Sequence, residues 1–326
     1  MGLHSNVAAL GLETLLAPLQ EPMALVEARI QRAIQTDQPH LTEAYQALFS
    51  GGKRIRPAVT LLCAGERCAT EAPVIALGAS LEMLHSATLI HDDIIDRAAV
   101  RRGKPTISST YGADSAILAG DHLFALAAVV VTETRHFEAL RVFAETLVTI
   151  SAGELEQLRR LNCLPSRDDY LRLIHAKTAC LFESAALGGA LLAGRPAEEV
   201  ARFACYGRGL GLAFQIADDV LDYVGDADRL GKPTLNDMKR GVLTLPALLL
   251  AWDRGLADRT RLPDSLPADE LERLIHAVVE GGYVERALEL AREYADSAWE
   301  SVSDLVQGAH ADALRALTRF ALERVD

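Results

Sequence analysis

The sequence predicts an all-α protein made of one domain. Half of the 326 residues are hydrophobic, and alanine and leucine dominate among them, a composition that favours helices. Only 5% of the residues are aromatic, and no segment shows the strict alternation of apolar and polar residues that marks a half-buried strand. No shift in composition and no long linker divides the chain, so we expect a single domain over residues 1–326.

Start and stop signals delimit several of the expected helices. Pro73 suits a first helical turn, and Ser166 with Asp169 resembles a capping box. Gly194 followed by Pro196 is typical of a helix end. Clusters of Gly and Pro break the chain at 51–52, 103–105, 225–233 and 255–267. The predicted helices are, in order, 7–35, 41–50, 54–66, 73–97, 114–134, 137–161, 167–193, 197–224, 241–253, 269–281, 284–305 and 309–324.

Charge, cysteine content and hydropathy restrict the protein class. A net charge of −12 argues against nucleic acid as a partner. The cysteines are odd in number and form neither a CxxC pair nor a zinc-binding spacing, which predicts reduced, buried thiols. No signal peptide is apparent. The longest apolar stretch, Ala116–Val131, contains Asp121 and His122 and is interpreted as too short and too polar to span a bilayer, so we expect a soluble, cytoplasmic protein.

Two similar acidic heptapeptides are the most informative feature of the chain. They span Ile90–Asp96 and Ile216–Asp222, and each places three aspartates inside an apolar helical stretch. Burying an unpaired aspartate is costly, so each stretch requires a partner, and carboxylate oxygens suit Mg²⁺. A single copy would fit a solvated helix face, whereas two copies predict facing metal sites for a group such as a diphosphate. Residues four apart share a helix face, and the predicted metal ligands are Asp92, Asp93, Asp96, Asp218, Asp219 and Asp222.

Basic loops accompany both acidic motifs. One basic loop, Gly51–Pro57, carries three cations behind two glycines, and a second, Arg101–Thr106, closely follows the first acidic motif. A third, Gly231–Pro233, follows the second acidic motif. Arginine binds phosphate through two parallel hydrogen bonds, and lysine binds it as a point charge. These loops therefore predict a site that binds a polyanion.

Together these pieces resemble the trans-isoprenyl diphosphate synthase family, in particular its long-chain octaprenyl and solanesyl members. The resemblance extends from Gly51 to about Pro246. It implies an all-α bundle of the isoprenoid synthase type around a deep central cavity, a homodimer, Mg²⁺ as cofactor, and isopentenyl diphosphate and an allylic diphosphate as substrates. The matching segments are GGKRIRP, LIHDDIID, RRGKPT, Lys177-Thr178, FQIADDVLD, GKP and the Gly-x-x-Thr-x-Pro stretch at Gly241–Pro246.

The resemblance also implies a role for each matching residue. The first three aspartates would hold Mg²⁺ on the allylic diphosphate, and Asp218 would hold a further ion from the opposite wall, supported by Asp219 and Asp222. By its local sequence alone, His85 would be interpreted as a core histidine. The allylic diphosphate would contact Arg101, Lys177, Thr178, Gln215 and Lys232, of which Lys177 and Lys232 are expected to assist catalysis. The diphosphate of isopentenyl diphosphate would contact Lys53, Arg56, His85 and Arg102.

The implied reaction is a head-to-tail condensation. Metals and cations stabilise the charge on the departing diphosphate, so that the allylic C–O bond ionises. The double bond of isopentenyl diphosphate attacks the allylic cation, and a proton is then lost to the released diphosphate. Arg97, Val242 and the basic Lys239 depart from the usual family pattern. Long-chain members often carry an apolar residue where Val242 stands, so no loss of activity is inferred.

Product length is expected to depend on the helix face below the first acidic motif. Short-chain members carry bulky aromatic residues four or five positions before the motif, whereas this chain has Thr88 and Ala87 there. Leu84 and Leu81 lie farther along roughly the same face. Since a helix rises about 1.5 Å per residue, Leu81 lies about 16 Å below Asp92, which favours a product of about forty carbons, used as a quinone side chain.

Other functions remain open at this point. A geranylgeranyl or farnesyl diphosphate synthase of the same family is the nearest alternative. A terpene cyclase shares the cavity but usually lacks the second DDxxD motif and an isopentenyl diphosphate site. A regulatory subunit typically lacks aspartate motifs, whereas a catalytic subunit of a heteromeric synthase would keep them. We expect at most transient membrane contact during product release.

Overall fold

The computed structural model describes residues 16–224, 241–256, 260, 261, 263 and 267–323, and most of them lie in helices. After a 3₁₀ turn at Ala17–Leu19, the first half contains α1 (Gln20–Ala33), α2 (Pro39–Phe49), α3 (Ile55–Ala64), α4 (Ala72–Ile95), β1 (Val100–Arg101), β2 (Lys104–Pro105), α5 (Ile107–Tyr111), α6 (Ala113–Thr132) and α7 (Phe137–Arg159). The second half contains α8 (Arg167–Ile174), a π-helix (His175–Ala179), α9 (Cys180–Leu192), α10 (Ala197–Val224), α11 (Leu245–Asp253), α12 (Ala268–Glu280), α13 (Tyr283–Val302) and α14 (Gly308–Leu322).

Two long helices organise the bundle. Helix α10 packs against α9 and α13, and α4 packs against α6, α3 and α1. The larger apolar cluster joins the N-terminal helices to α9 and part of α10, while a smaller cluster lies between α8, the end of α10 and α11–α13. Each long helix ends in one of the acidic motifs, so the packing of the bundle determines how the two motifs approach each other. The all-α prediction is confirmed.

Several predicted helix boundaries are confirmed for identifiable reasons. Pro73 lies in the first turn of α4, where a missing N–H costs nothing. Ser166 caps α8 by accepting a hydrogen bond from the Asp169 N–H at 3.2 Å. Gly194 ends α9 with φ +69°, and its N–H donates to the Leu191 carbonyl at 3.0 Å. The predicted helix over 7–35 is described only from residue 16 onward, where the 3₁₀ turn and α1 form its later part.

Other parts of the helix prediction were wrong. The chain is helical from α8 through α9, as predicted for 167–193, but the middle of this stretch is a π-helix and not an α-helix. The helix predicted from residue 241 begins only at Leu245, because Pro246 belongs in a first turn and Gly241 has φ +79°. The sequence analysis also missed α5 and the hairpin β1–β2, in which Val100 pairs with Pro105. Both elements are too short to produce a periodic pattern.

Cysteine burial and helix hydropathy also differ from expectation. All five cysteines are free, but Cys205 is exposed and only Cys63 and Cys180 are buried. In the described part of the chain, α4 and α6 are long and apolar enough to cross a membrane by length and composition. The most apolar window of α4 is 78% buried within the protein, whereas that of α6 is only 39% buried. The interpretation of Ala116–Val131 as too short and too polar therefore does not hold for α6 as a whole.

Candidate active site

The first acidic motif directs two aspartates into one cavity. Asp92 lies in the last turn of α4 and Asp96 caps the helix, where its N–H donates to the Asp92 carbonyl at 2.7 Å. Both line a cavity of about 290 Å³, named here the acidic cavity, together with Lys177 and Asp218. The structure thus brings together the aligned aspartates of the first motif and the leading aspartate of the second.

Asp93, the middle aspartate of the first motif, forms a buried contact with another part of the chain. It is buried, and its Oδ1 accepts a hydrogen bond from Arg101 Nε at 2.7 Å. Its backbone carbonyl accepts from the Ala98 N–H at 2.9 Å. Asp93 therefore anchors the hairpin to the end of α4 and presents Arg101 to the acidic cavity. A metal-binding role for Asp93 stays a prediction.

The hairpin turn positions Arg102. Arg102 and Gly103 have φ +50° and +75°, the conformation of a tight two-residue turn with positive φ at both central positions. A Cβ added to Gly52 would lie 2.9 Å from Arg102 Nη1, so the glycine lets the loop before α3 approach the arginine closely. Lys104 Nζ also donates to Ser50 Oγ. Two of the predicted basic loops therefore pack against each other.

Arg54 holds the loop before α3 in place. It adopts a left-handed conformation with φ +48°, and its guanidinium donates to the Gly51 carbonyl at 2.8 Å. The same guanidinium forms ion pairs with Glu82 at 3.3 Å and Glu27 at 3.2 Å. Sequence analysis missed this role. The signal was Glu82, an acidic residue within the apolar run of α4, for which a cationic partner should have been sought.

A larger cavity, of about 1130 Å³, gathers the other predicted cations, and it is named here the basic cavity. Leu89, Gln215 and Asp218 border both this cavity and the acidic cavity, so the two adjoin. All four residues predicted to bind isopentenyl diphosphate line the basic cavity, together with Thr178. These residues are Lys53, Arg56, His85 and Arg102.

Desolvation lowers the pKa of two residues in the basic cavity, Arg56 and His85. Arg56 is partly buried with its guanidinium 4.8 Å from the Phe182 ring centre, and desolvation lowers its pKa. Its Nε has no hydrogen-bond partner among the described residues, which suits an anionic ligand. Desolvation, followed by the nearby charges of Arg56 and Arg102, lowers the pKa of His85 well below its usual value. His85 is therefore neutral and can donate a hydrogen bond without adding charge.

Lys177 and Thr178 lie on the π-helix. A Cβ on Gly153 of α7 would lie 2.4 Å from Ala176 Cβ, and one on Gly211 of α10 would lie 2.5 Å from Ala179 Cα. These glycines allow the widened turn to fit between two helices. Single π-turns within helices are frequent at functional sites, and sequence periodicity did not reveal this one. Lys177 Nζ lies 4.0 Å from Glu154 Oε1, a partner that the sequence analysis also missed.

The three aspartates of the second acidic motif differ in their exposure to solvent. Asp218 is exposed to both cavities, Asp222 is partly buried, and Asp219 is only 4% exposed. Asp219 accepts hydrogen bonds from Tyr170 Oη, Gln215 Nε2 and the Leu245 N–H. The metal roles of these aspartates stay predictions. Lys232 and Lys239 lie outside the described residues.

The donor set of the acidic cavity fits a diphosphate-bound Mg²⁺. Burial raises the pKa of Asp92 to about 6, against the opposing charge of Lys177, so a nearby cation would favour its ionised form. Within the described ranges, no group of three His, Cys, Asp or Glu side chains is arranged to hold a metal by itself. Mg²⁺ commonly takes one or two carboxylates and completes its shell with waters and substrate phosphates. Asp92, Asp96 and Asp218 fit that pattern.

The four residues predicted to control product length lie along α4. Ala87, Leu84 and Leu81 are fully buried, and Thr88 donates its hydroxyl to the His85 carbonyl at 2.7 Å. None of the four lines the acidic or the basic cavity. A hydrocarbon tail that follows this helix would therefore contact core side chains directly.

Comparisons with known proteins agree with this geometry. A family model described as polyprenyl synthetase matches residues 38–277. The octaprenyl diphosphate synthase of Escherichia coli (strain K12) is 34% identical, over 93% of this chain and 96% of that protein. A polyprenyl synthase from Caulobacter crescentus CB15, solved in complex with calcium and isoprenyl diphosphate, has a TM-score of 0.87 at 33% identity, covering 97% and 98% of the two chains.

A geranylgeranyl pyrophosphate synthase from Lactobacillus brevis has a TM-score of 0.82 at 31% identity, covering 94% of this chain and 97% of that one. Because the fold of the Lactobacillus brevis enzyme is similar, the architecture is shared by synthases named for products of different lengths. The family model alone covers well over half of the chain. This chain therefore belongs to the polyprenyl synthetase family and is a prenyltransferase.

Proposed function

We propose that the protein is an Mg²⁺-dependent, long-chain all-trans polyprenyl diphosphate synthase that condenses isopentenyl diphosphate onto an allylic diphosphate. The observation that carries this proposal is the contact between the two cavities at Leu89, Gln215 and Asp218. One cavity presents carboxylates for a metal-bound diphosphate, and the other presents cations for a second diphosphate. Two substrates bound in this way would meet at the shared wall.

The residues of the acidic cavity assist departure of the allylic diphosphate. When bound, Mg²⁺ supplies Lewis-acid stabilisation of the negative charge on the diphosphate. Lys177 and Arg101 line the same cavity and neutralise part of that charge as the C–O bond ionises. Because these cations are fixed by the protein, little reorganisation is needed during the reaction.

The residues of the basic cavity hold isopentenyl diphosphate. Arg56 and Arg102 bind its diphosphate, and neutral His85 donates a hydrogen bond. Leu89 and Phe214 line the cavity where the two substrates meet and help to exclude water, which would quench the allylic cation. The leaving diphosphate accepts the final proton, so the site needs no separate general base.

Metal and diphosphate are expected to bind cooperatively. Since the described carboxylates do not form a complete metal site, Mg²⁺ should bind about 10- to 100-fold more tightly with a diphosphate than without one, a range usual for coupled ligands. Calorimetric titration of Mg²⁺ with and without the unreactive analogue farnesyl thiolodiphosphate measures this difference. Asp92→Asn should reduce it. Equal Mg²⁺ affinity in both titrations would contradict the proposed ligand set.

Two observations support a long product. The octaprenyl relative is similar over nearly the whole chain, and the positions four and five residues before Asp92 carry small side chains. A product of about forty carbons would suit a quinone side chain and needs an apolar path of the length that the face of α4 offers. A geranylgeranyl diphosphate synthase remains the second candidate, because such a synthase shares the fold.

Incubation of the purified protein with Mg²⁺, farnesyl diphosphate and labelled isopentenyl diphosphate tests the proposed function. Chain length is read by chromatography after dephosphorylation. A ladder ending near forty carbons is expected. A stop at twenty carbons would establish the geranylgeranyl alternative, and absence of product from the protein alone would indicate a required partner subunit.

We also propose that the protein forms a homodimer through α6 and α7. Among the described residues, the most exposed large apolar side chains lie on these helices: Phe137 at 76%, Leu118 at 68%, Val148 at 66% and Leu155 at 65%. The low burial of α6 is consistent with a second copy covering it. A stable interface buries about 800 Å² on each partner, and aliphatic side chains are suited to its centre.

The double variant Leu118→Glu with Val148→Glu is expected to sediment as a monomer, since buried unpaired charges oppose association. Sedimentation velocity measures the mass of each species. Val279→Glu, at an exposed apolar position on α12, is the matched control and should remain dimeric. A wild-type protein that is monomeric at micromolar concentration would contradict the proposal.

A further inference from the structure

Asp219 of the second acidic motif is the centre of a buried hydrogen-bond network. Its Oδ2 accepts from Tyr170 Oη at 2.8 Å and from the Leu245 N–H at 3.2 Å. Its Oδ1 accepts from Gln215 Nε2 at 3.0 Å. These donors come from α8, from the first residue of α11 and from the preceding turn of α10. One carboxylate therefore joins three elements of the site wall.

The network continues to the π-helix. Gln215 uses its amide oxygen to accept a hydrogen bond from Thr178 Oγ1 at 2.5 Å, and Thr178 follows Lys177 directly in the chain. The exposed Asp218 precedes Asp219 on α10, and both line the acidic cavity with Lys177, although Asp219 is only 4% exposed and its carboxylate is held by the three hydrogen bonds above. Hydrogen bonds thus connect the backbone that presents Asp218 to the backbone that presents Lys177.

The buried Tyr170 hydroxyl donates a hydrogen bond to the Asp219 carboxylate. Its side chain is only 4% exposed, and its hydroxyl lies 2.8 Å from Asp219 Oδ2, so the hydrogen bond is shielded from water. A buried carboxylate needs such donors, because an unsatisfied buried charge costs several kcal/mol. Tyr170 lines the acidic cavity, but its hydroxyl donates to Asp219.

We propose that Tyr170 and Asp219 are positioning residues: they fix the turn of α10 that carries Asp218 relative to the π-helix that carries Lys177. Asp219 acts through this network and binds neither metal nor diphosphate directly. This inference rests on the proposed function, because it concerns how the site binds a metal-bound diphosphate. Residues that orient metal ligands through hydrogen bonds commonly contribute 10- to 100-fold to metal affinity or activity.

Tyr170→Phe, with Tyr206→Phe as its matched control, tests the proposal. Tyr206 lies on α10, is also fully buried, and donates its hydroxyl to the Leu314 carbonyl at 2.8 Å, in the part of the helix remote from the acidic motif. Each variant removes one buried hydroxyl and its hydrogen bond. A role confined to folding predicts similar changes in melting temperature and in ligand affinity for both variants.

The measured quantities are the Kd for farnesyl thiolodiphosphate in saturating Mg²⁺, the half-saturating concentration of Mn²⁺ detected by electron paramagnetic resonance, and the melting temperature. Tyr170→Phe is expected to raise the first two by about tenfold. Tyr206→Phe should leave both within twofold while lowering the melting temperature comparably. In turnover assays the effect of Tyr170→Phe should appear mainly in the KM for the allylic diphosphate. Equal affinities in the two variants would overturn the proposal.

A double-mutant cycle tests whether Asp219 acts with Tyr170. Residues of one network show non-additive effects, so Asp219→Asn combined with Tyr170→Phe should bind no more weakly than Asp219→Asn alone. Asp218→Asn should weaken Mn²⁺ binding at least about tenfold more than Asp219→Asn. Equal losses for the two aspartate variants, with none for Tyr170→Phe, would make Asp219 a direct ligand and overturn the inference. A wild-type protein that does not bind the analogue would instead contradict the proposed function.

Discussion

Replacement of Asp218 by alanine is expected to reduce kcat by about a thousandfold, the upper range for removing one fixed electrostatic contact from an active site. Asp218 borders both cavities, so its carboxylate lies where the two proposed substrates meet. No other aspartate of the second motif borders both cavities, since the buried Asp219 lines only the acidic cavity and Asp222 lines neither. Alanine would remove the carboxylate that faces the first motif.

The measurement is the initial rate of labelled isopentenyl diphosphate incorporation at saturating farnesyl diphosphate and Mg²⁺. Asp92→Ala should give a loss of similar size, because Asp92 faces the same cavity from α4. Asp253→Ala is the control, since Asp253 is an exposed residue that forms a surface ion pair with Arg286, and its rate should stay within about twofold. Near-normal turnover by Asp218→Ala or Asp92→Ala would exclude the proposed metal site.

Replacement of Ala87 by phenylalanine is expected to shorten the product from about forty carbons to about fifteen or twenty, because an aromatic ring one turn below Asp92 would block the face of α4 after a few isoprene units. Ala87 is fully buried and lines neither cavity, so a phenylalanine there would crowd the core side chains that a growing chain must displace to follow α4. Overpacking should also cost about 1–3 kcal/mol of stability. Product length is measured by chromatography after dephosphorylation.

Two further variants separate pocket blocking from general destabilisation. Ala287→Phe makes the same change at a fully buried alanine of α13, in the smaller apolar cluster. It should lower the melting temperature without changing product length. Leu81→Ala should lengthen the product, if this residue limits the path from below. An Ala87→Phe enzyme with an unchanged product distribution would show that α4 does not define the hydrocarbon path.

Local sequence was sufficient for features that depend on neighbours in the chain. Helical composition predicted the fold class, and the side chains of Pro73 and Ser166 predicted helix starts, because capping involves residues within one turn. The four-residue spacing correctly placed Asp92 and Asp96 in one cavity. The family resemblance led to Lys53, Arg56, His85 and Arg102, although their convergence in the basic cavity became visible only in three dimensions.

Tertiary structure decided the features that depend on distant partners. Asp93 and Asp219 look equivalent to their neighbours in the motifs, but each is only 4% exposed and its carboxylate accepts hydrogen bonds from the protein. Their partners, Arg101 and Tyr170, come from other elements. Likewise, the π-helix depends on Gly153 and Gly211, which belong to two different helices.

By itself, the sequence determined that this protein is helical and that it carries two acidic motifs accompanied by basic loops, because composition and residue spacing encode these properties locally. Only the tertiary structure decided which aspartates are exposed in the cavity and which are buried and hydrogen-bonded to other elements. Burial and hydrogen bonding assign those roles, and both arise from contacts between segments far apart in the chain. The same carboxylate chemistry therefore serves metal binding at Asp218 in the proposed mechanism and structural support at Asp93.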